Sequence, residues 1–86
     1  AKESNFACSC FQGAKIKQST FQECDLRQSN LEGVFAPGTA FLRCDLESAL
    51  MKRIHLLSGS LKKSRLVEAD LRGANLYGVD FYKAVL

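Results

Sequence analysis

Cysteine, histidine and charged-residue placement decides first whether this chain could do chemistry. Cys8 and Cys10 form a C-x-C pair, but a zinc site needs a second pair or a histidine at finger spacing, and the sequence offers neither. His55 is the single histidine. Nucleophilic catalysis through it would need a Ser or Cys within hydrogen-bond reach, and no spacing supplies one. Asp25, Asp45, Glu47 and Glu68 could do acid–base work only in a pocket that shifts their pKa. The remaining set is cationic: Arg43, Lys62, Lys63 and Lys83. No catalytic residue, no cofactor and no metal site is expected.

The elements that position these residues must come from one small core. The chain has 86 residues, 47% hydrophobic and 24% charged, an ordinary globular composition with room for a single domain. Twelve Lys plus Arg against nine Asp plus Glu give a net charge of +3, too weak to announce a nucleic-acid binder. No apolar run approaches the roughly 18 residues of a membrane span, and nothing reads as a signal peptide. Because the chain begins at Ala1, it is expected to be a piece of something longer.

Internal repetition organises the sequence. Every fifth position from residue 6 reads Phe6, Phe11, Ile16, Phe21, Leu26, Leu31, Ala36, Phe41, Leu46, Met51, Leu56, Leu61, Leu66, Leu71, Leu76, Phe81, Leu86, so 16 of 17 carry Phe, Ile, Leu or Met. A second track, two residues earlier in each pentad, runs from Ser4 to Ala84 and is small or modest in size except at Ile54. A helix would smear a five-residue period over all its faces, and a flat strand would flip it from side to side. The period needs a backbone that turns once per pentad and points the same residue inward each time, which is a solenoid.

The pattern stands most clearly in Cys24-Asp25-Leu26-Arg27-Gln28, Ser29-Asn30-Leu31-Glu32-Gly33, Ala69-Asp70-Leu71-Arg72-Gly73, Ala74-Asn75-Leu76-Tyr77-Gly78 and Val79-Asp80-Phe81-Tyr82-Lys83. In these residues the chain resembles the pentapeptide-repeat proteins, over essentially its whole length. The resemblance implies an all-β fold, a right-handed quadrilateral β-helix with four pentads per coil. It also implies that the Asp or Asn before the central residue supports the turn by hydrogen-bonding backbone groups.

With 20 residues per coil, this chain makes about four coils stacked about 4.8 Å apart. The inward columns are then Phe6/Leu26/Leu46/Leu66/Leu86, Phe11/Leu31/Met51/Leu71, Ile16/Ala36/Leu56/Leu76 and Phe21/Phe41/Leu61/Phe81. Ala36 leaves a gap, which Phe35 is expected to fill by swinging inward, with Pro37-Gly38 making a turn. Residues 1–86 are read as one solenoid domain lacking its caps, and its open ends are expected to associate end to end. Cys24 and Cys44 stack within disulfide range, yet inward cysteines in a packed column behave as small hydrophobes. Reduced thiols, and hence a cytoplasmic setting, are expected, although export within a larger effector stays open.

Two surface features carry functional candidates. Arg43, Lys63 and Lys83 stack as like charges with Lys62 beside them, a candidate anion-binding column. Pro37, Leu57 and Tyr77 stack outward, with Leu42 and Tyr82 on the next face, a candidate partner surface. The reading is a non-catalytic scaffold for protein–protein interaction, a module of a larger bacterial protein such as an effector or secretion adaptor. A protein partner is expected; a small-molecule substrate and direct nucleic-acid binding are not. The alternative implied by the resemblance is a DNA mimic acting on DNA gyrase and topoisomerase IV, of the quinolone-resistance type. A net charge of +3 has the wrong sign for that role.

Overall fold

Each pentad must find partners for five backbone N–H groups, and the pentad from Asp45 to Ala49 shows how it does so. In this computed structural model, which describes residues 5–86, the Asp45 N–H donates to the Cys24 carbonyl of the preceding coil at 3.0 Å. The N–H groups of Leu46 and Ser48 donate to Arg65 and Val67 of the following coil, at 2.8 and 2.9 Å. The Glu47 N–H is satisfied by its own pentad, through Asp45 Oδ1 at 3.2 Å, and the Ala49 N–H closes a turn onto Leu46 at 3.0 Å. No donor is left over.

Repetition of this scheme stacks each residue on the one twenty later. Parallel bridges run from Asn5 with Asp25 through Arg65 with Val85 at that one offset. At one rung the pairing lengthens into two parallel strands, β1 (Thr20–Gln22) and β2 (Ala40–Leu42), with Phe21 opposite Phe41. The described residues contain no α-helix. The architecture is a β-helix built of short bridges and turns.

The scheme explains the composition of the pentad. Asn5, Asp25, Asn30, Asp45, Asp70, Asn75 and Asp80 each accept the N–H two residues on, and Ser60 does the same through its hydroxyl. Phe35 cannot, but the residue two places on is Pro37, which has no N–H to satisfy. Two positions after each large apolar residue, from Cys8 to Lys83, φ is positive, between 51° and 72°. Eleven of these residues are not glycine, at a cost of about 1 kcal/mol each. The cost is offset because this conformation aims the N–H at the next coil, as with Arg43 to Lys62 at 3.0 Å and Lys63 to Tyr82 at 2.8 Å.

One column uses a different turn. The Ser64 hydroxyl donates to the Phe41 carbonyl at 2.7 Å and accepts the Cys44 N–H at 3.1 Å, standing between the two groups that elsewhere bond directly. One rung earlier, the Cys44 thiol donates to the Phe21 carbonyl at 3.1 Å. Where Ala84 occupies the equivalent place and has no heteroatom, the Leu61–Ser64 turn closes directly at 3.1 Å.

The core is the two inward tracks of the central coils. Leu26, Leu46, Met51, Ile54, Leu56 and Leu61 are all fully buried, each such side chain contributing about 1.5–3 kcal/mol. Phe21 and Phe41 stack at 5.1 Å with rings 12° apart, and Phe6 packs edge-on against Phe11 and Phe21. The last rung is less covered: Phe81 is 37% exposed and Leu86 79%.

The Ala36 gap is not filled as the sequence suggested. Phe35 stays outside, 46% exposed, stacked on His55 at 4.8 Å. A residue that forms bridges to Lys15 and His55 cannot rotate inward without breaking the ladder on both sides. The volume missing at Ala36 is matched instead by Val34 and Ile54, large members of the small track and both fully buried. Pro37-Gly38 does make the turn: Gly38 has a φ of 71° and the Thr39 N–H reaches Ala36 at 3.2 Å. All four cysteines are free thiols. Burial pushes the Cys44 thiol up to about 11, which makes it inert at neutral pH.

Three outcomes follow from this packing. Leu46→Asp places an unpaired charge in a fully buried column, and circular dichroism should show no cooperative unfolding. Thr39 Oγ1 is the one buried side-chain polar atom without a partner among the described residues, so Thr39→Val should raise stability by about 1 kcal/mol in urea melts. The Arg72 side chain and N–H hold the Asp70 carboxyl down to about 2 from its ordinary 3.8. A carboxyl lowered by folding stabilises the fold above its unfolded value and loses that contribution as pH falls through the folded one. Urea melts of the native chain and Asp70→Asn should therefore differ at neutral pH and converge as pH falls from about 4 to about 2.

Candidate functional site

Along each extended segment, residues two apart flank an inward side chain and share one outer side. The outward residues therefore sort into sides of different chemistry. On the side that carries Asp25, Arg27, Asp45, Glu47 and Arg65, the charges neutralise one another. Arg27 grips Asp25 through two bonds at 2.9 and 2.7 Å, lowering the Asp25 carboxyl and raising the guanidinium. Arg65 bridges Asp45 at 2.9 Å and Glu47 at 3.3 Å. A hollow of about 400 Å³ beside them is lined by Ala7, Cys8, Arg27, Gln28, Glu47 and Ser48. Its arginine is already held by Asp25, its Cys8 thiol donates to Gln28 Oε1 at 3.5 Å, and its Glu47 is paired with Arg65. Glu68, expected near this group, makes none of these ion pairs.

The neighbouring side is also self-paired. Arg53 bonds Glu32 at 2.9 Å and Arg72 bonds Asp70 at 2.7 Å. Among the described residues no group of His, Cys, Asp or Glu could hold a metal ion, and no helix is long and apolar enough to cross a membrane.

The third side has no carboxylate. It consists of Lys15, Phe35, His55 and Asn75 in one column and Lys17, Pro37, Leu57 and Tyr77 in the other. Tyr77 is 79% exposed, while Pro37 and Leu57 are half-buried. His55 lies flat on Phe35, and the Asn75 amide meets its Nδ1 at 3.3 Å. Phe35 and His55 thus join the stripe of Pro37, Leu57 and Tyr77, a grouping the sequence reading missed. The signal was available: Phe35 and Pro37 flank Ala36 and must emerge on one side. Leu50, 48% exposed, stands apart on the ion-paired side.

The fourth side and its corner gather the expected cations. Gln22, Leu42, Arg43, Lys62 and Lys63 line a groove of about 230 Å³. Lys62 and Lys83 place their ammonium groups 5.6 and 5.4 Å from the centre of the Tyr82 ring. Tyr82 therefore belongs with the lysines, and half-buried Leu42 forms the groove floor beside them. Sequence spacing placed these two residues on the face next to the apolar stripe, and they lie across the corner at Gln18, Gly38, Ser58 and Gly78, beside the lysines.

Comparison with known proteins agrees with this geometry. The model of the pentapeptide repeats, in eight copies, matches residues 58–86. Rfr23, a pentapeptide repeat protein of the cyanobacterium Cyanothece 51142, is similar in structure with a TM-score of 0.80 and 18% identity, over 98% of this chain and 78% of its own. QnrB1, a plasmid-mediated fluoroquinolone resistance protein, gives 0.68 and 24% over 98% of this chain and 45% of its own. HetL of Nostoc sp. strain PCC 7120, involved in heterocyst differentiation regulation, gives 0.57 and 18% over 95% and 48%. The chain thus spans less than half the length of the last two, and at these identities the likeness is one of fold. No curated protein sequence matches. Residues 58–86 match the pentapeptide repeats, and the unbroken pentad register and shared β-helix make the whole chain similar in fold to pentapeptide-repeat proteins.

Proposed function

We propose that this chain is a non-catalytic scaffold, a right-handed quadrilateral coil of four pentads per turn, that presents a flat side to a protein partner. The observation that carries this reading is the third side. It shows an exposed Tyr77, a Phe35–His55 stack and the half-buried Pro37 and Leu57, with no acidic residue among them. Exposed aromatic side chains without neighbouring carboxylates are typical of an interface centre. Lys15 and Lys17 lie at one end of the same side, so the matching surface is apolar with an acidic margin. A rigid backbone ladder keeps such a surface preorganised, which lowers the entropy cost of binding.

Action as a DNA mimic finds less support. Asp25, Asp45, Glu32, Glu47 and Asp70 are all engaged by arginines of this chain. They cannot present the uninterrupted negative surface that imitates a duplex. The likeness to QnrB1 is compatible with either reading, since it is one of fold.

The test is affinity capture from a bacterial lysate with the native chain and a Leu57→Ser/Tyr77→Ser variant, alongside a gyrase supercoiling assay. A specific partner should bind the native chain and bind the variant about tenfold or more weakly, the loss expected for truncating two interface anchors. An Arg53→Gln control on another side should keep full binding. A partner indifferent to the double variant, or inhibition of gyrase by the native chain, would move function away from this side.

A further inference from the structure

We propose that the groove formed by Arg43, Lys62 and Lys63, with Lys83 and Tyr82 beside it, binds a phosphate-bearing anion. Four observations converge there. Of the five arginines, four hold carboxylates of this chain; among the described residues Arg43 makes no ion pair, nor do Lys62, Lys63 and Lys83. Glu23 stands in the same column, one coil from Arg43, and no ion pair joins them. Arg43 is thus the one arginine without an ion pair among the described residues, and it stands with three lysines that have none.

Arg43, Lys63 and Lys83 also occupy left-handed backbone positions, with φ of 53°, 59° and 57°. Glycine fills the equivalent place at Gly13, Gly33, Gly38, Gly73 and Gly78. Long cations at three successive rungs are therefore not required by the turn. Stacked about 4.8 Å apart they repel one another, and Glu23, the one described carboxylate of the column, forms no ion pair with them.

The third observation is the Tyr82 ring. It holds two ammonium groups near it at 5.6 and 5.4 Å, which limits their freedom before any ligand arrives. Fourth, the cations surround a concavity. The groove of about 230 Å³ also offers the Gln22 side chain and a Leu42 floor, room for a small phosphate group with donors on several sides. A planar guanidinium beside ammonium point charges suits the three or more oxygens of a phosphate better than a single carboxylate. Tyr82 acts here as a positioning residue for Lys62 and Lys83.

Isothermal titration of the 86-residue chain with inorganic tripolyphosphate tests the site. Sedimentation with phosphatidylcholine vesicles, with and without a phosphoinositide, distinguishes a free phosphate from a lipid headgroup. Tripolyphosphate should bind the native chain, and Arg43→Gln/Lys63→Gln should bind it about tenfold more weakly, as for lost charge-assisted hydrogen bonds. Lys15→Gln/Lys17→Gln, which removes the same charge from another side, should bind as the native chain does. Tyr82→Ala should weaken binding and Tyr82→Phe should restore it, since the ring and not the hydroxyl holds the lysines. Vesicle binding that depends on both the phosphoinositide and Arg43/Lys63 assigns the ligand to a headgroup; its absence with tripolyphosphate binding intact assigns it to a free phosphate. Equal loss in both double variants, equal affinity for citrate, or no binding of tripolyphosphate overturns the proposal.

Discussion

A backbone N–H aimed at the next coil is the interaction on which the rest of this structure depends. The N–H two places after each large apolar residue reaches the following coil only when that residue is left-handed. Arg43, Ser48, Arg53, Ser58 and Lys63 all adopt that conformation and all donate to the coil beyond. From Cys8 to Lys63 each left-handed residue makes this inter-coil bond. Neither a turn nor a single coil would be stable alone, because in a pentad such as Asp45–Ala49 three of the five N–H groups bond to other coils. The fold is cooperative along its axis for this reason, as in other stacked repeats.

The same ladder explains which departures the chain tolerates. Ala36 in a large position is accommodated because Val34 and Ile54 enlarge the adjacent track, so core volume is shared across neighbouring columns. Phe35 replaces a polar turn residue without leaving an orphan donor, because Pro37 follows it. A Cβ on Gly59 would come within 2.4 Å of the Thr39 carbonyl oxygen, so at that rung the small track has no space even for alanine. Each departure is judged by whether the backbone ladder survives.

Function on such a scaffold is a matter of which side chains the ladder sends outward and which of them find partners within the chain. Two sides neutralise their charges internally. One exposes aromatic and apolar groups without carboxylates, and the last exposes cations that make no ion pair among the described residues. The two unsatisfied surfaces are chemically distinct and lie on either side of the corner at Gly38 and Ser58, so one rigid body can present both at once. Glu23 and Asp80, the carboxylates on the cationic side and its corner, make no ion pair with these cations, and Asp80 accepts the Tyr82 N–H at 2.9 Å.

Much of this was legible in the sequence. A five-residue period with one inward position admits hardly any backbone other than a coil that turns once per pentad, so Phe6 through Leu86 named their own columns. The vertical stacking of Arg43 with Lys63 and Lys83, and of Leu57 with Tyr77, followed from the same arithmetic. What the spacing could not decide was how side chains lean between columns. Phe35 stayed outside because its backbone is bridged on both faces. Tyr82 turned to the lysines because its ring face attracts ammonium groups. Ser64 entered the Phe41 turn because a hydroxyl in that place finds both a carbonyl and an N–H within reach. The sequence by itself determined the period, the register and the inward residues, since those depend on chain direction and residue size alone. Only the tertiary structure decided which outward charges pair across coils, as Arg53 does with Glu32 and Arg65 with Asp45, because those pairs join residues about twenty apart that no local pattern records.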